Sequence, residues 1–272
     1  MKYRYFSANG KLLPIEQAVI SIANIEYQYG FGVYEALRVV RGKPYFISQH
    51  CNRLLASAKI ISLEHSFSPV FIQESIIGLI TKNKVETCNI KVILVGGLTP
   101  ADAKLYILCL VPLFPDRKLY MQGAHFITCE HVRDYPHAKT LNMLPSYLAY
   151  RQAKQQRAYD ALLINPAGYI TEGTRTNFLC LKGQTITSPP EEQILPGIMR
   201  AAVLDYAQKN GFKVAHKPIH LDDLDQYEAA FVTSTSSKIL PAKSIDGYVF
   251  GSSSTSLSTL MKQFSNYLKN LN

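Results

Sequence analysis

Apolar residues recur every three to four positions in SPVFIQESIIGLITKN (68–83), behind Ser68 as a capping hydroxyl and Pro69 at the first helical position. That spacing predicts a helix. The same periodicity predicts a last helix over 255–270, with Leu257, Leu260, Met261, Phe264, Tyr267 and Leu268 on one face. Helices are also predicted over 146–158 and over 198–209, the latter stopped by Asn210-Gly211. IKVILVGG and KLYILCLVPLF are too short and too rich in β-branched residues for helices and read as buried strands. Further strands are predicted at AVISIA (18–23), at EALRVVRGKPYFI (35–47) with a turn at Gly42, at 124–128, and at EAAFVTS. DALLIN and TNFLCL read as two strands with a turn at Pro166–Gly168 between them. The opening YRYFSANGKLLPIEQ reads as a hairpin, because Asn9-Gly10 supplies the positive φ values of a tight turn. A short GSSSTS loop precedes the last helix, and no internal repeat is present.

A chain of 272 residues suggests two domains, and PLFPDR (112–117) is the best break between them. The expected division is a domain at 1–113, a linker at 114–118 and a second domain at 119–272, both mixed α/β. With 47% hydrophobic and 18% charged residues the chain is globular rather than disordered. It holds no run of about 18 apolar residues, which argues against a membrane span. MKYRYFSANGKLLP lacks the apolar region of a secretory signal, so the cytoplasm is expected. Five scattered cysteines with no CxxC suggest no disulfide scaffold; four of them, in apolar surroundings, read as small buried hydrophobes. The formal charge of +9 is spread along the chain without a dense basic cluster or an aromatic RNA-binding signature. Nucleic acid is therefore not an expected partner, whereas a phosphorylated or carboxylate ligand suits the charge.

Several chemistries have no footing in the sequence. There is no GxxxxGK[ST], HExxH or GxSxG, and YGFGVYE lacks the third glycine of a dinucleotide fold. His216 and His220 are four apart, but on what reads as a strand and a loop, so no metal site is expected. The informative segments are DYPHAKTLNMLPSYLAYRQA, DALLINPAGYITEGTRTNFLCLKG, ILPGIMRAAVLDYA and EAAFVTSTSSKILPAKSID. Singly, each has an ordinary explanation: Lys139 as a surface lysine, Glu172 as a turn carboxylate, Thr233–Ser237 as a hydroxyl-capped turn, Pro196-Gly197 as a helix entry.

Taken together, in this order and spacing, they resemble the class IV aminotransferases, the pyridoxal-phosphate enzymes of the branched-chain and D-amino acid aminotransferase fold, a family that includes 4-amino-4-deoxychorismate lyase. The resemblance spans nearly the whole chain and is strongest from Lys139 to Pro241. It implies two α/β domains of fold type IV with pyridoxal phosphate between them, the first domain shaping the substrate side, in a homodimer acting on an amine or amino acid.

By that resemblance Lys139 holds the cofactor aldehyde as an imine and shuttles the proton at the substrate α-carbon. Glu172 keeps the pyridine nitrogen protonated, so that the ring acts as an electron sink. Backbone amides of Ile198 and Met199, at a helix N-terminus, bind the phosphate. Arg53, in QHCNRLLASAKII, adds a charge-assisted clamp. The Thr235 hydroxyl with the amide of Ser234 or Ser236 completes the phosphate cup. Tyr34, in GFGVYEALRV, is the aromatic of the substrate pocket. Asn177 is assigned a structural place, and Arg175 no role.

The sequence also departs from the family. Gly30-Phe31-Gly32 stands where many relatives have Gly-Asp-Gly, and Gly96 or a neighbour where they have an arginine. The loop GGLTPADAK (96–104) carries neither the Arg nor the His that grips the substrate carboxylate in D-amino acid aminotransferases. Met143 stands where some relatives have a tyrosine. The cofactor motifs alone leave three readings open: an aminotransferase, favoured by YEALRVVRGKPYF and EGTRTNF; the lyase, releasing pyruvate and 4-aminobenzoate; and a non-catalytic pyridoxal-phosphate protein.

Overall fold

Asn9 and Gly10, at φ +49° and +81°, fold β1 (Tyr5–Ala8) back onto β2 (Lys11–Pro14), as the hairpin reading expects. The computed structural model describes residues 2–251 and 254–271. They form two units, residues 2–113 with His137–Asn142, and Phe114–Pro136 with Met143–Leu271.

The first unit is built on a six-stranded antiparallel sheet in the order β2-β1-β6-β5-β3-β4, with β3 at Gly32–Val40, β4 at Lys43–Pro44, β5 at Thr87–Val95 and β6 at Lys104–Leu110. Alternation along β3 sends Val33, Leu37 and Val39 to one face. There they pack with Leu54 of α2 (Ile47–Ile60; α1 is introduced below) and with Ile72, Ile76 and Leu79 of α3 (Pro69–Lys82). The α3 start is the one read from sequence: the Ser68 hydroxyl accepts from the Phe71 amide at 3.2 Å and Pro69 follows.

One sequence expectation fails here, and a second holds in part. AVISIA is not a strand: no strand pairs with it, and Val19, Ile20 and Ile22 are exposed. β-branched content favours a strand only where its side chains pack against neighbouring strands. The short α1 (Ile25–Tyr29) follows, its Tyr27 amide capped by the Asn24 side chain at 3.0 Å. The 35–47 segment does turn at Gly42, which with Arg41 lies at positive φ and pairs β3 with β4, but the second arm is shorter than expected: β4 ends at Pro44 and Ile47 already opens α2.

The second unit holds a ten-stranded mixed sheet, with α4 at Arg117–Gln122, α5 at Leu144–Gln155, α6 at Ile198–Lys209 and α7 at Thr255–Asn270. Its strands are β7 (Ala124–Glu130), β8 (Asp160–Ile164), β9 (Tyr169–Gly173), β10 (Asn177–Lys182), β11 (Thr185–Ser188), β12 (Lys213–His216), β13 (Ile219–His220), β14 (Ala229–Ser234), β15 (Lys238–Ile245) and β16 (Tyr248–Val249). The path β10-β14-β15-β7-β8-β9 returns on itself through one pair, Asn177 opposite Glu172. DALLIN and TNFLCL are therefore not joined by a turn alone. The Pro166–Gly168 turn leads into β9, which pairs with β8 and carries Glu172 as a strand residue rather than a turn carboxylate.

The α6 range agrees with the sequence reading, including the stop at Asn210 and Gly211. The α7 face buries Leu257, Leu260, Phe264 and Leu268. Ser252 and Ser253 of the GSSSTS loop lie outside the described residues. Cys51, Cys88, Cys109 and Cys180 are buried and unpaired, and Cys129 is half-buried. Among the described residues no helix is long and apolar enough to cross a membrane.

Candidate active site

Lys139 does not fold with the segments that flank it in sequence. Residues His137–Asn142 belong to the first unit, although the sequence reading counted them with the second domain. Backbone pairing explains this. The Tyr34 amide donates to the Lys139 carbonyl at 2.9 Å, the Leu141 amide donates to the Gly32 carbonyl at 2.8 Å, and Thr140 bridges Val33. The Lys139 amide donates to the Ser57 hydroxyl of α2 at 3.1 Å. The backbone is thus fixed from two sides, and the Lys139 ammonium lies 4.7 Å from the Tyr34 ring centroid. Of the sequence-predicted residues, these two are brought together directly.

Arg53 projects from α2 onto a carboxylate that the sequence reading did not single out. Its Nε and Nη2 donate to Glu35 Oε1 and Oε2 at 2.6 and 2.9 Å, and His50 Nδ1 meets Glu35 Oε2 at 2.7 Å. Burial would push the Glu35 carboxyl up, but the Arg53 guanidinium and the His50 hydrogen bond outweigh it and hold it at about 2. Burial pushes the His50 imidazole down, against the pull of Glu35. Arg53 is therefore oriented and largely neutralised by Glu35. What it offers an anion is fixed direction more than net charge. A signal was present in the sequence: Glu35 occupies an inward position of the β3 alternation, between Val33 and Leu37.

In the second unit Glu172 is 2% exposed and makes an ion pair with Arg133, Nε to Oε1 at 2.7 Å. Arg133 also donates through Nη2 to the Gly173 and Thr174 carbonyls at 3.3 and 2.9 Å, so it grips both the carboxylate and the turn beyond it. Asn177 donates to Glu172 Oε2 at 3.3 Å and to the Leu195 carbonyl at 2.9 Å, and the Leu195 amide donates to Glu172 Oε2 at 3.3 Å. Asn177 is structural in the sense expected, and what it supports is Glu172. Arg133 carries no motif and was not foreseen.

Behind Glu172 the turn 173–176 is stapled to Asp160 of β8. The Thr174 hydroxyl donates to Asp160 Oδ1, the Thr176 hydroxyl to Oδ2 at 3.2 Å, and the Ala161 amide to Oδ1 at 3.0 Å. Arg175 is exposed, its guanidinium 3.8 Å from the Tyr150 ring centroid.

The remaining predicted residues also lie in the second unit. Helix α6 begins at Ile198 and Met199 with no side chain capping its first turn. Such a turn presents backbone N–H groups and the positive end of the helix dipole. Ser234 ends β14, and Thr235 and Ser236 lie in the turn to β15; the Ser234 hydroxyl accepts from the Ser237 amide at 3.0 Å. An amine, a buried carboxylate in an ion pair, and uncapped helical amides are the donor and acceptor types that a phosphorylated pyridine aldehyde requires. The residues present fit pyridoxal phosphate.

Comparison with known proteins agrees with that chemistry. The family model described as amino-transferase class IV matches residues 32–245. The chain is 31% identical over 254 residues to a D-alanine aminotransferase of Bacillus licheniformis, covering 90% of this chain and 89% of that one. It is also 31% identical to a putative branched-chain-amino-acid aminotransferase of Methanocaldococcus jannaschii, over 89% of this chain and 88% of the relative. The fold matches a branched-chain amino acid aminotransferase of Escherichia coli with a TM-score of 0.89 at 23% identity, covering 97% of this chain and 94% of that one. This chain belongs to the class IV aminotransferases. They are pyridoxal-phosphate enzymes, and the aminotransferase reading is the one that the relatives favour.

Proposed function

We propose that this chain transfers the amino group of an amino acid through pyridoxal phosphate held by Lys139, with Glu172 as the acid partner of the pyridine nitrogen. The observation that carries the proposal is Glu172 itself, buried in an ion pair with Arg133 and fixed further by Asn177 and the Leu195 amide. A carboxylate held that firmly is an acceptor for a protonated ring nitrogen. When bound, the cofactor supplies an aldehyde that captures amines and a ring that takes up electrons from the α-carbon. Lys139 Nζ binds the aldehyde and carries the proton to and from the substrate α-carbon. Arg53, the amides of Ile198 and Met199, the Thr235 hydroxyl, and the amide of Ser234 or Ser236 hold the phosphate. Tyr34 shapes the space beside Lys139.

An absorption spectrum of the holoenzyme, recorded before and after a panel of L- and D-amino acids, tests this. Loss of the visible band with gain of the near-ultraviolet pyridoxamine band is expected, and the active donor identifies the substrate class and its hand. A visible band that no amino acid discharges, with 4-aminobenzoate formed from aminodeoxychorismate, would replace the aminotransferase by the lyase. Lys139→Ala should abolish the visible band.

We propose further that the protein works as a homodimer through the segment that failed to form a strand. Val19, Ile20, Ile22, Ile25 and Tyr29 are all more than half exposed within a dozen residues, a concentration of large exposed apolar side chains that suits an interaction surface. Sedimentation of the purified protein, and of Ile22→Lys, should give a dimer in the first case and a weakened one in the second.

A further inference from the structure

The open face of the first unit's sheet carries a cation that the residues assigned so far leave unused. In the β3–β5 register Tyr34 lies opposite Ile93, and Ala36 opposite Lys91, which puts Tyr34 and Lys91 on one face as diagonal neighbours. The Lys91 ammonium lies 5.0 Å from the Tyr34 ring centroid, and the Lys139 ammonium 4.7 Å from the same centroid. One aromatic ring thus serves two ammonium groups. Lys91 is half-buried, and neither lysine has an ion pair among the described residues. Two ammonium groups that share one aromatic ring and have no carboxylate partner among the described residues make a place where an anion is favoured.

A second observation narrows what that anion is. One residue past the end of β5, the chain at Gly96 is closed to a side chain: a Cβ there would fall 2.3 Å from the Phe31 ring. The two departures noted in the sequence, Phe31 and Gly96, are thus one packing contact, and position 96 cannot place a cation beside Lys139. Lys91 can.

We propose that Lys91 binds a carboxylate of the amino-acid substrate while its amine reacts at Lys139. The proposal rests on the aminotransferase reading and extends it to substrate choice. A lysine is a point charge on a flexible stem, so it suits a carboxylate at more than one distance from the amine. That group is either the α-carboxylate common to all amino acids or the side-chain carboxylate of a dicarboxylic one.

Steady-state kinetics of the holoenzyme, Lys91→Met and Lys91→Arg decide this, with alanine and glutamate as donors. A short-chain fatty acid and its uncharged amide serve as competitive inhibitors. Lys91→Met should raise KM by roughly ten- to a hundredfold and weaken the fatty acid by the same factor. The amide should be unaffected, and Lys91→Arg should restore most of the loss. A rise with both donors assigns the α-carboxylate, and a rise with glutamate alone the side-chain carboxylate. Unchanged KM values, equal weakening of acid and amide, or weaker binding of pyridoxal phosphate itself would each overturn the proposal. If the wild-type protein shows no visible band with pyridoxal phosphate, the aminotransferase reading fails first and takes this proposal with it.

Discussion

Glu35 and Asp160 are both carboxyl groups sealed from water, one in each unit, and their surroundings drive them in opposite directions. Glu35 meets a guanidinium and an imidazole at hydrogen-bond distance, and its carboxyl is held at about 2 in spite of burial. Asp160 meets hydroxyls and backbone amides. There burial is the larger effect, and its carboxyl is pushed up, although Arg175 and the Thr174 hydroxyl pull against it. A buried carboxyl keeps its charge when a fixed cation touches it, whereas neutral donors compensate only part of the lost hydration. Glu172, against Arg133, is built on the Glu35 plan.

The largest effect should come from Glu35→Gln, which strands the Arg53 charge and leaves His50 with a poorer partner. Breaking a buried pair in this way costs about 3–5 kcal/mol, to be read from urea denaturation. Arg133→Met should cost about 3 kcal/mol by the same logic. It should also weaken pyridoxal phosphate binding, because Glu172 is left without its cation; unchanged affinity would show that Asn177 and Leu195 suffice. Asp160→Asn should cost only about 1–2 kcal/mol, since it replaces one neutral-donor network by a slightly poorer one.

Acid sharpens the contrast. The Glu35 contribution is complete above the ordinary carboxylate range and is lost as the pH falls toward about 2. The Asp160 carboxyl is raised, so its contribution is complete below the ordinary range and is lost as the pH rises through its folded value. Between pH 5 and 3, Glu35→Gln should therefore flatten the fall in stability, and Asp160→Asn should steepen it. The smallest effect is expected from Ser57→Ala, which removes the acceptor of the Lys139 amide and should cost about 1 kcal/mol with a modest drop in turnover.

These pairs also show what a sequence discloses. Helices α3 and α6 were legible because their punctuation is local: Ser68 and Pro69 at one start, Asn210 and Gly211 at the other end. The Lys139 and Glu172 motifs were legible for the same reason, each being a short run of fixed residue types. AVISIA misled because β-branched content alone does not make a strand: Val19, Ile20 and Ile22 stay exposed and gain no cross-strand packing. Glu35 left a trace, a charge at a core-phase position of a strand. Arg133 left none: its partner Glu172 lies across the loop after β7, α5, β8 and most of β9, and only the folded chain brings them within 2.7 Å. Lys91 likewise acquires its meaning from the register of two strands rather than from its neighbours in sequence.

The excursion of residues 137–142 onto β3 has a consequence for how the protein is made. Val33 and Thr140 are far apart along the chain, so their bridge raises the contact order of the first unit and cannot close until Thr140 has left the ribosome. A ribosome that has released only the sheet and helices through Leu113 has made a unit whose Gly32–Tyr34 edge still lacks its partner segment. Within the first unit, His137–Asn142 is thus the last segment fitted. A fragment ending at Leu113 should regain that edge only through complementation by a peptide spanning His137–Asn142.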